Sequence, residues 1–294
     1  MELRTLRAFV EVVRQGGFSQ AAKVVFATQS TVSKAVKQLE EEVGVPLLDR
    51  IGHRSTLTDA GEVVYRRAVK MLAQRDDLLA ELDDLRGLRR GTLRLGLPPV
   101  GSSTLFAPLF AIYRQRHPRV DIRLTEHGSD RLEELLRAGE IDLAASLLPI
   151  SEDFEWQEVR REPLVALIPL DHALARLTSV TLADLKDLPF VLFESGFALN
   201  RIILGACVRH GFEPQVAARS SQIDFLVELA ATGLGVAFLP RMIAEQRPHP
   251  AVRYVQLAEP QTDWTIAMVW RRGAYLSHAA RIWLGLVREV HSSA

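Results

Sequence analysis

The chain is poor in cysteine, in net charge and in long apolar runs. Cys207 is the one cysteine among 294 residues. A single thiol excludes an intrachain disulfide, a cysteine-built zinc cluster and a two-cysteine redox switch within one chain. No apolar run approaches the roughly 18 residues needed to cross a bilayer. Met1-Glu2-Leu3-Arg4-Thr5 shows no basic segment leading into an apolar stretch, so no signal peptide is expected and a cytoplasmic place is. The eight histidines never fall at the i, i+4 spacing that sets two imidazoles on one helical face, so no metal is expected. No nucleophile elbow, P-loop or paired-carboxylate arrangement stands out. Gly233-Leu234-Gly235 lies between helix and strand, the reverse order of a dinucleotide fingerprint. Neither a catalytic set nor a cofactor follows. Thirty-six basic residues balance 36 acidic ones, which speaks against nucleic acid unless charge is segregated along the chain.

What is present is an ordinary globular composition, 48% hydrophobic and 24% charged, with length for about two domains. Residues 1–58 read as short helices with tight joints. Leu3, Leu6, Val10 and Val13 recur at helical steps up to Gly16-Gly17. Ser19 suits a second N-cap, with Phe18 ahead of it, and Ala21-Ala22 allow close packing. Thr28 suits a third cap. The helix after it carries Val32, Val36, Leu39 and Val43 on one face and stops at Gly44, before Pro46. Helix, short helix, turn and longer helix make a helix-turn-helix layout.

On that third helix the face opposite the apolar stripe presents Ser30, Lys34, Lys37 and Glu41, flanked by Gln29 and Ser33. These side chains suit a major groove. Glutamine pairs with adenine N6 and N7, serine serves base edges or phosphates, and lysine reaches guanine or phosphate. No acidic residue interrupts residues 29–38, and Glu40-Glu41-Glu42 come only afterwards. The competing reading is a plain solvated helix face. Against it stands the stretch after Pro46, in which two extended pieces around Gly52 would form a basic wing with His53 and Arg54.

Residues 59–88 read as one long helix of about 45 Å. Its stripe of Val64, Ala68, Met71, Leu72, Leu78, Leu82 and Leu85 needs burial, either in a second copy or on the chain's own remainder. A hinge at residues 87–91 follows. Beyond it, strands at 93–97, 120–124, 141–144, 163–169, 190–194, 235–239, 252–257 and 264–270 alternate with helices at 103–115, 130–138, 181–187, 199–210, 222–232 and 277–290. That alternation predicts an α/β architecture with mainly parallel sheets.

Four stretches carry a family resemblance: Phe18-Ser19-Gln20-Ala21-Ala22, Thr28-Gln29-Ser30-Thr31-Val32-Ser33-Lys34-Ala35-Val36-Lys37-Gln38-Leu39-Glu40, Gly44-Val45-Pro46-Leu47-Leu48-Asp49-Arg50 and Leu57-Thr58-Asp59-Ala60-Gly61. Together they resemble the N-terminal domain of LysR-type transcriptional regulators, without a gap over about 60 residues. Leu48 stands where the family usually has Phe, and His53 where Arg or Lys is commoner. The resemblance implies that Gln29, Ser30, Thr31, Ser33, Lys34 and Lys37 face DNA and that Arg50, His53 and Arg54 serve the backbone or the wing. It also implies a fold of three parts: a winged helix-turn-helix domain over 1–58, a linker helix and hinge over 59–90, and a two-lobed effector domain over 91–294 resembling periplasmic binding proteins. The lobes would be 91–162 with 264–294, and 163–263. Implied partners are double-stranded promoter DNA, a small-molecule effector and further copies of the chain, a dimer through the linker helix and a tetramer beyond it. RNA polymerase is a further candidate partner, and a membrane is not.

Open α/β sheets bind ligands beyond the carboxyl ends of their strands, where helix N-termini gather. Hydroxyls recur at those junctions, and Ser102, Ser103, Thr104, Ser129, Phe197, Ser221 and Gln222 are the candidate effector residues. Ordinary helix capping explains each one singly. Free N–H groups there favour an anion, so a small carboxylate or other polar metabolite is the expected effector. Effector binding would change lobe closure, the tilt of paired helix-turn-helix units and the bend of promoter DNA. A solute-binding protein or an α/β enzyme using the same cleft are the rival readings. Cys207, within the apolar pattern of Ile202, Ile203, Ala206 and Val208, is expected in the core.

Overall fold

The computed structural model describes residues 1–51, 54–85 and 91–291. The chain forms two compact units, one built on Met1–Leu88 and the other on Arg89–Leu136 with Ile141–Ala294.

In the first unit, α1 (Leu3–Gln15), α2 (Phe18–Val24) and α3 (Gln29–Val43) precede an antiparallel pair, β1 (Leu48–Ile51) and β2 (Arg54–Leu57), and the long α4 (Asp59–Leu85). Leu6, Phe9, Val10, Ala21, Val32, Val36, Leu39, Leu47, Ala68 and Val69 form its core. Gly16 and Gly44 end α1 and α3, and the Thr28 hydroxyl accepts from the Thr31 N–H at 3.2 Å to cap α3. Ser19 is not a cap. Helix α2 begins two residues earlier than that cap implies, at Phe18, which packs on the core, and its N-cap is Gly17 with no side-chain hydrogen bond.

The second unit runs β3 (Gly91–Leu97), α5 (Pro99–Leu105), α6 (Ala107–Arg116), β4 (Val120–Glu126), α7 (Ser129–Arg137), β5 (Leu143–Leu147), β6 (Phe154–Glu162) and β7 (Leu164–Pro169). It continues with β8 (Ser179–Val180), α8 (Leu182–Leu185), β9 (Phe190–Phe193), α9 (Ala198–Arg209), β10 (Val216–Ser220), α10 (Ile223–Ala231) and β11 (Ala237–Pro240). Then come α11 (Arg241–Glu245), β12 (Val252–Leu257), β13 (Trp264–Arg271) and α12 (His278–His291). A five-stranded sheet in the order β4-β3-β5-β13-β6 forms the first lobe. A four-stranded sheet, β11-β7-β12-β8, forms the second lobe with the parallel pair β10-β9, which a bridge between Phe190 and Val236 ties to the segment entering β11.

The α/β class holds, but the sheets are mixed rather than mainly parallel. Pairings of β3 with β4 and β5, of β9 with β10 and of β12 with β8 are parallel; those of β13 with β5 and β6, and of β7 with β11 and β12, are antiparallel. The chain passes twice between the lobes, and β13, returning, inserts between β5 and β6 against their direction. The single helix expected over 103–115 is two. Pro108 sits in the first turn of α6 and has no N–H to donate to the Thr104 carbonyl four residues back, so the helical ladder is interrupted at Phe106.

Candidate functional site

Helix α3 sorts its residues as its period requires. Val32, Val36 and Leu39 are buried, Thr31 and Ser33 are half-buried, and Gln29, Ser30, Lys34 and Lys37 are exposed. The Thr28 hydroxyl also binds the hydroxyls of Ser30 at 2.9 Å and Thr31 at 2.8 Å, which fixes both at the helix entrance. Lys34 has no ion pair with any described residue, whereas Lys37 Nζ lies 3.5 Å from Glu41 Oε1. His53 and the side chains of Arg50 and Arg54 lie outside the described residues.

The acidic run at the end of α3 has structural duties that its sequence did not reveal. Glu40 Oε1 accepts the backbone N–H groups of Leu47 at 2.8 Å and Leu48 at 3.3 Å, so the C-terminal part of α3 pins the root of the wing. Thr58 closes the other side: its hydroxyl donates to the Pro46 carbonyl at 2.8 Å and accepts the Gly61 N–H at 2.9 Å, capping α4. The β1–β2 pair and α3 are thereby held in one framework.

In the second unit the two lobes meet through helix termini. Thr104 donates its hydroxyl proton to Gln246 Oε1 at 2.8 Å, and the Asp130 N–H donates to the Gly196 carbonyl at 3.1 Å. Asp130 also stands 3.6 Å from Arg201. Ser129 is 4% exposed, and its hydroxyl has no partner among the described residues. Phe197 is half-buried and stacks on Phe193 at 5.1 Å. The Ser102 hydroxyl is committed to the Pro98 carbonyl, and Ser103 is exposed. Ser221 and Gln222, both exposed at the start of α10, make no hydrogen bond to the first lobe among the described residues. Thus Thr104 makes one contact between the lobes, Ser129 and Phe197 flank another at Gly128 and Gly196, and Ser221 and Gln222 stay on the second lobe.

Sequence reasoning missed Asn200, which organises this junction. Its amide donates to the carbonyls of Phe193 at 2.8 Å and Glu194 at 2.9 Å and accepts the Phe193 N–H at 3.1 Å. It locks the end of β9 to the first turn of α9. The signal available was a lone carboxamide in an otherwise apolar helical run.

Cys207 is fully buried, and desolvation pushes its thiol up to about 11. The thiolate is the reactive form, so native protein should react with a disulfide reagent far more slowly than a free thiol does. In denaturant one equivalent per chain should titrate rapidly; equally fast reaction of the native protein would refute this burial.

The description "LysR substrate binding domain" matches residues 86–292, and "Bacterial regulatory helix-turn-helix protein, lysR family" matches residues 3–62. The protein belongs to the LysR family of bacterial regulators. Among its relatives is the "Uncharacterized HTH-type transcriptional regulator YwbI" of Bacillus subtilis, 35% identical over 285 residues, covering 97% of this chain and 95% of that one. The "Transcriptional dual regulator GltC" of the same organism is 31% identical over 284 residues, covering 95% and 94%. A full-length OxyR variant from Pseudomonas aeruginosa shares the fold at a TM-score of 0.76 and 26% identity, covering 100% of this chain and 96% of that structure. As a LysR-family transcriptional regulator, the chain pairs a helix-turn-helix DNA-binding domain with an effector-binding domain. Among the described residues no helix is long and apolar enough to cross a membrane.

Proposed function

We propose that this LysR-family regulator reads double-stranded promoter DNA with α3 and the wing, dimerises through α4 and responds to a small carboxylate or similar polar metabolite at the lobe junction. The exposed face of Gln29, Lys34 and Lys37 above buried Val32, Val36 and Leu39 carries the reading. The functional division follows the chain: residues 1–58 for DNA, 59–90 for the linker and 91–294 for the effector, with 163–263 as the second lobe.

Lys37 acts through charge. Lys37→Ala should weaken binding to all duplexes by a similar factor and lower the salt slope by about one. Gln29→Ala should cost about 1–3 kcal/mol on the operator and much less on a scrambled duplex, because a bidentate base contact carries discrimination. Titrating both variants against both duplexes at two salt concentrations checks the assignment. Equal losses on operator and scrambled DNA in the Gln29 variant would sink it.

Two features of α4 support the dimer. Val63, Met71, Leu78, Leu79 and Leu82 are exposed along it. A cavity of about 440 Å³ lined by Leu3, Phe26 and Leu72, among others, lies open between α4, α1 and the turn before α3. A second copy would cover this apolar surface. Sedimentation of a Leu78→Glu, Leu79→Glu double variant should show a monomer at concentrations where the parent is dimeric.

At the lobe junction, the unpartnered Ser129 hydroxyl at the start of α7 and the N-terminus of α9 favour a polar, anionic ligand. Thermal shift against a panel of small acids tests this. Stabilisation confined to cations or nucleobases would contradict it.

A further inference from the structure

Beside the edge strand β6, where the chain crosses between the lobes, a groove of about 390 Å³ opens. Its volume falls at the small end of ligand clefts, about 300–1,000 Å³. Leu148, Pro149, Ile150 and Trp156 give it an apolar wall, and Arg161, Gln261, Asp263 and Thr265 give it polar groups. Strand register explains why these meet. Arg161 stands opposite Thr265 and Trp156 opposite Val269, and residues 265 and 269 share a face because side chains alternate along a strand.

The polar groups are largely uncommitted. Thr265 is 6% exposed, yet its hydroxyl has no partner among the described residues. Asp263 and Gln261 are exposed and make no side-chain hydrogen bond or ion pair with a described residue. Among the described residues Arg161 has one ion pair, a long 3.9 Å approach to Glu158. Trp156 is 49% exposed, a large aromatic face left to water. Such a set of one cation, one anion, one sheltered hydroxyl and one aromatic wall matches a small ligand that carries both charges and an apolar body.

We propose that this groove is a second small-molecule site and that it takes an α-amino acid with an apolar side chain. The Arg161 guanidinium receives the carboxylate, Asp263 receives the ammonium, and the side chain lies against Trp156 and the Leu148–Ile150 wall. A simple carboxylate would meet Asp263 and a simple amine would meet Arg161, so both charges are needed. The position also has a consequence for regulation. Arg161 stands two residues before Pro163, where the chain leaves for the second lobe, and Asp263 immediately precedes Trp264, where it returns. A ligand joining them ties the two crossovers together.

The test uses the full chain, with calorimetric titration of L-leucine and L-phenylalanine and with tryptophan emission as a second readout. Both amino acids should bind saturably in the millimolar range. Phenylpropanoate, without the ammonium, and phenethylamine, without the carboxylate, should each bind at least about tenfold more weakly. Arg161→Ala and Asp263→Ala should each weaken L-leucine by a similar factor while leaving the melting temperature unchanged, and Ser129→Ala at the lobe junction should leave its affinity unchanged. Loss of binding in Ser129→Ala would place the amino acid at the junction and overturn the proposal. So would affinity indifferent to both Arg161→Ala and Asp263→Ala, phenylpropanoate binding as tightly as L-phenylalanine, or no saturation with either amino acid.

Discussion

Gly61→Ala should abolish operator binding while leaving the effector unit folded. A Cβ built at Gly61 would fall inside the Leu47 carbonyl group and lie 3.0 Å from a methyl carbon of Leu57. The obstacle is backbone, so no rotamer change relieves it. Leu47 is fully buried, and its carbonyl already accepts the Thr58 N–H at 3.1 Å. Making room must pull β1 off α4 or displace the α4 N-terminus, which breaks the Thr58–Gly61 cap. Overpacking costs about 1–3 kcal/mol, and losing a cap adds about 0.5–2 kcal/mol. Small domains rarely have more than about 3–5 kcal/mol to lose. All four tryptophans lie beyond residue 150, so their emission reports the effector unit alone. The variant should show an unchanged tryptophan melt, reduced helical circular dichroism and no specific gel shift. Parent-like operator affinity would show that the wing root tolerates displacement.

Gly128→Ala should hold the lobes apart. A Cβ there would meet the Gly196 carbonyl oxygen at 2.8 Å, its carbon at 3.2 Å and the Phe197 ring at 3.3 Å. These atoms belong to the facing lobe, so separation is the available relief. It would lengthen the Asp130–Gly196 hydrogen bond and the Asp130–Arg201 approach. Gly196 cannot yield easily, because its φ of 90° is a conformation that other residues rarely adopt. The expected outcome is a destabilisation of about 1–3 kcal/mol in the tryptophan-monitored unfolding, with a larger radius of gyration in X-ray scattering. Ligand-induced stabilisation should fall at least about tenfold in ligand affinity, since closure must be regained at the ligand's expense. Unchanged scattering together with unchanged stability would mean that Gly128 is not where the lobes touch.

The N-terminal half was legible because its determinants are local. Helix α3 announces its cap at Thr28, its buried stripe at Val32, Val36 and Leu39 and its stop at Gly44, all within 17 residues. What escaped were long-range uses of local-looking residues, such as Glu40 holding Leu47 and Leu48. In the effector half, β6 was hidden by its composition. Phe154-Glu155-Trp156-Gln157-Glu158 alternates only until the irregularity opposite Ile266 and Ala267 shifts the period. Strand direction is likewise not written locally, so the antiparallel return of β13 could not be read from Trp264–Arg271 itself. The lobe junction depends on pairs such as Thr104 and Gln246, 142 residues apart, whose meeting the fold decides.

The position of β13 in the middle of the first sheet also orders the assembly of the molecule. The helix-turn-helix unit and the strands of the second lobe are continuous in sequence, so each can form as the chain emerges from the ribosome. The first lobe cannot. Its sheet lacks a central strand until residue 271 has been made, and Trp283, which packs on Phe110 and Tyr113, arrives later still. Until then β5 and β6 have no neighbour on the faces where β13 will lie, and such open edges invite pairing with other chains. Nascent protein truncated before β13 should therefore be the species most prone to aggregate and most dependent on chaperones, although it already carries a complete DNA-reading unit.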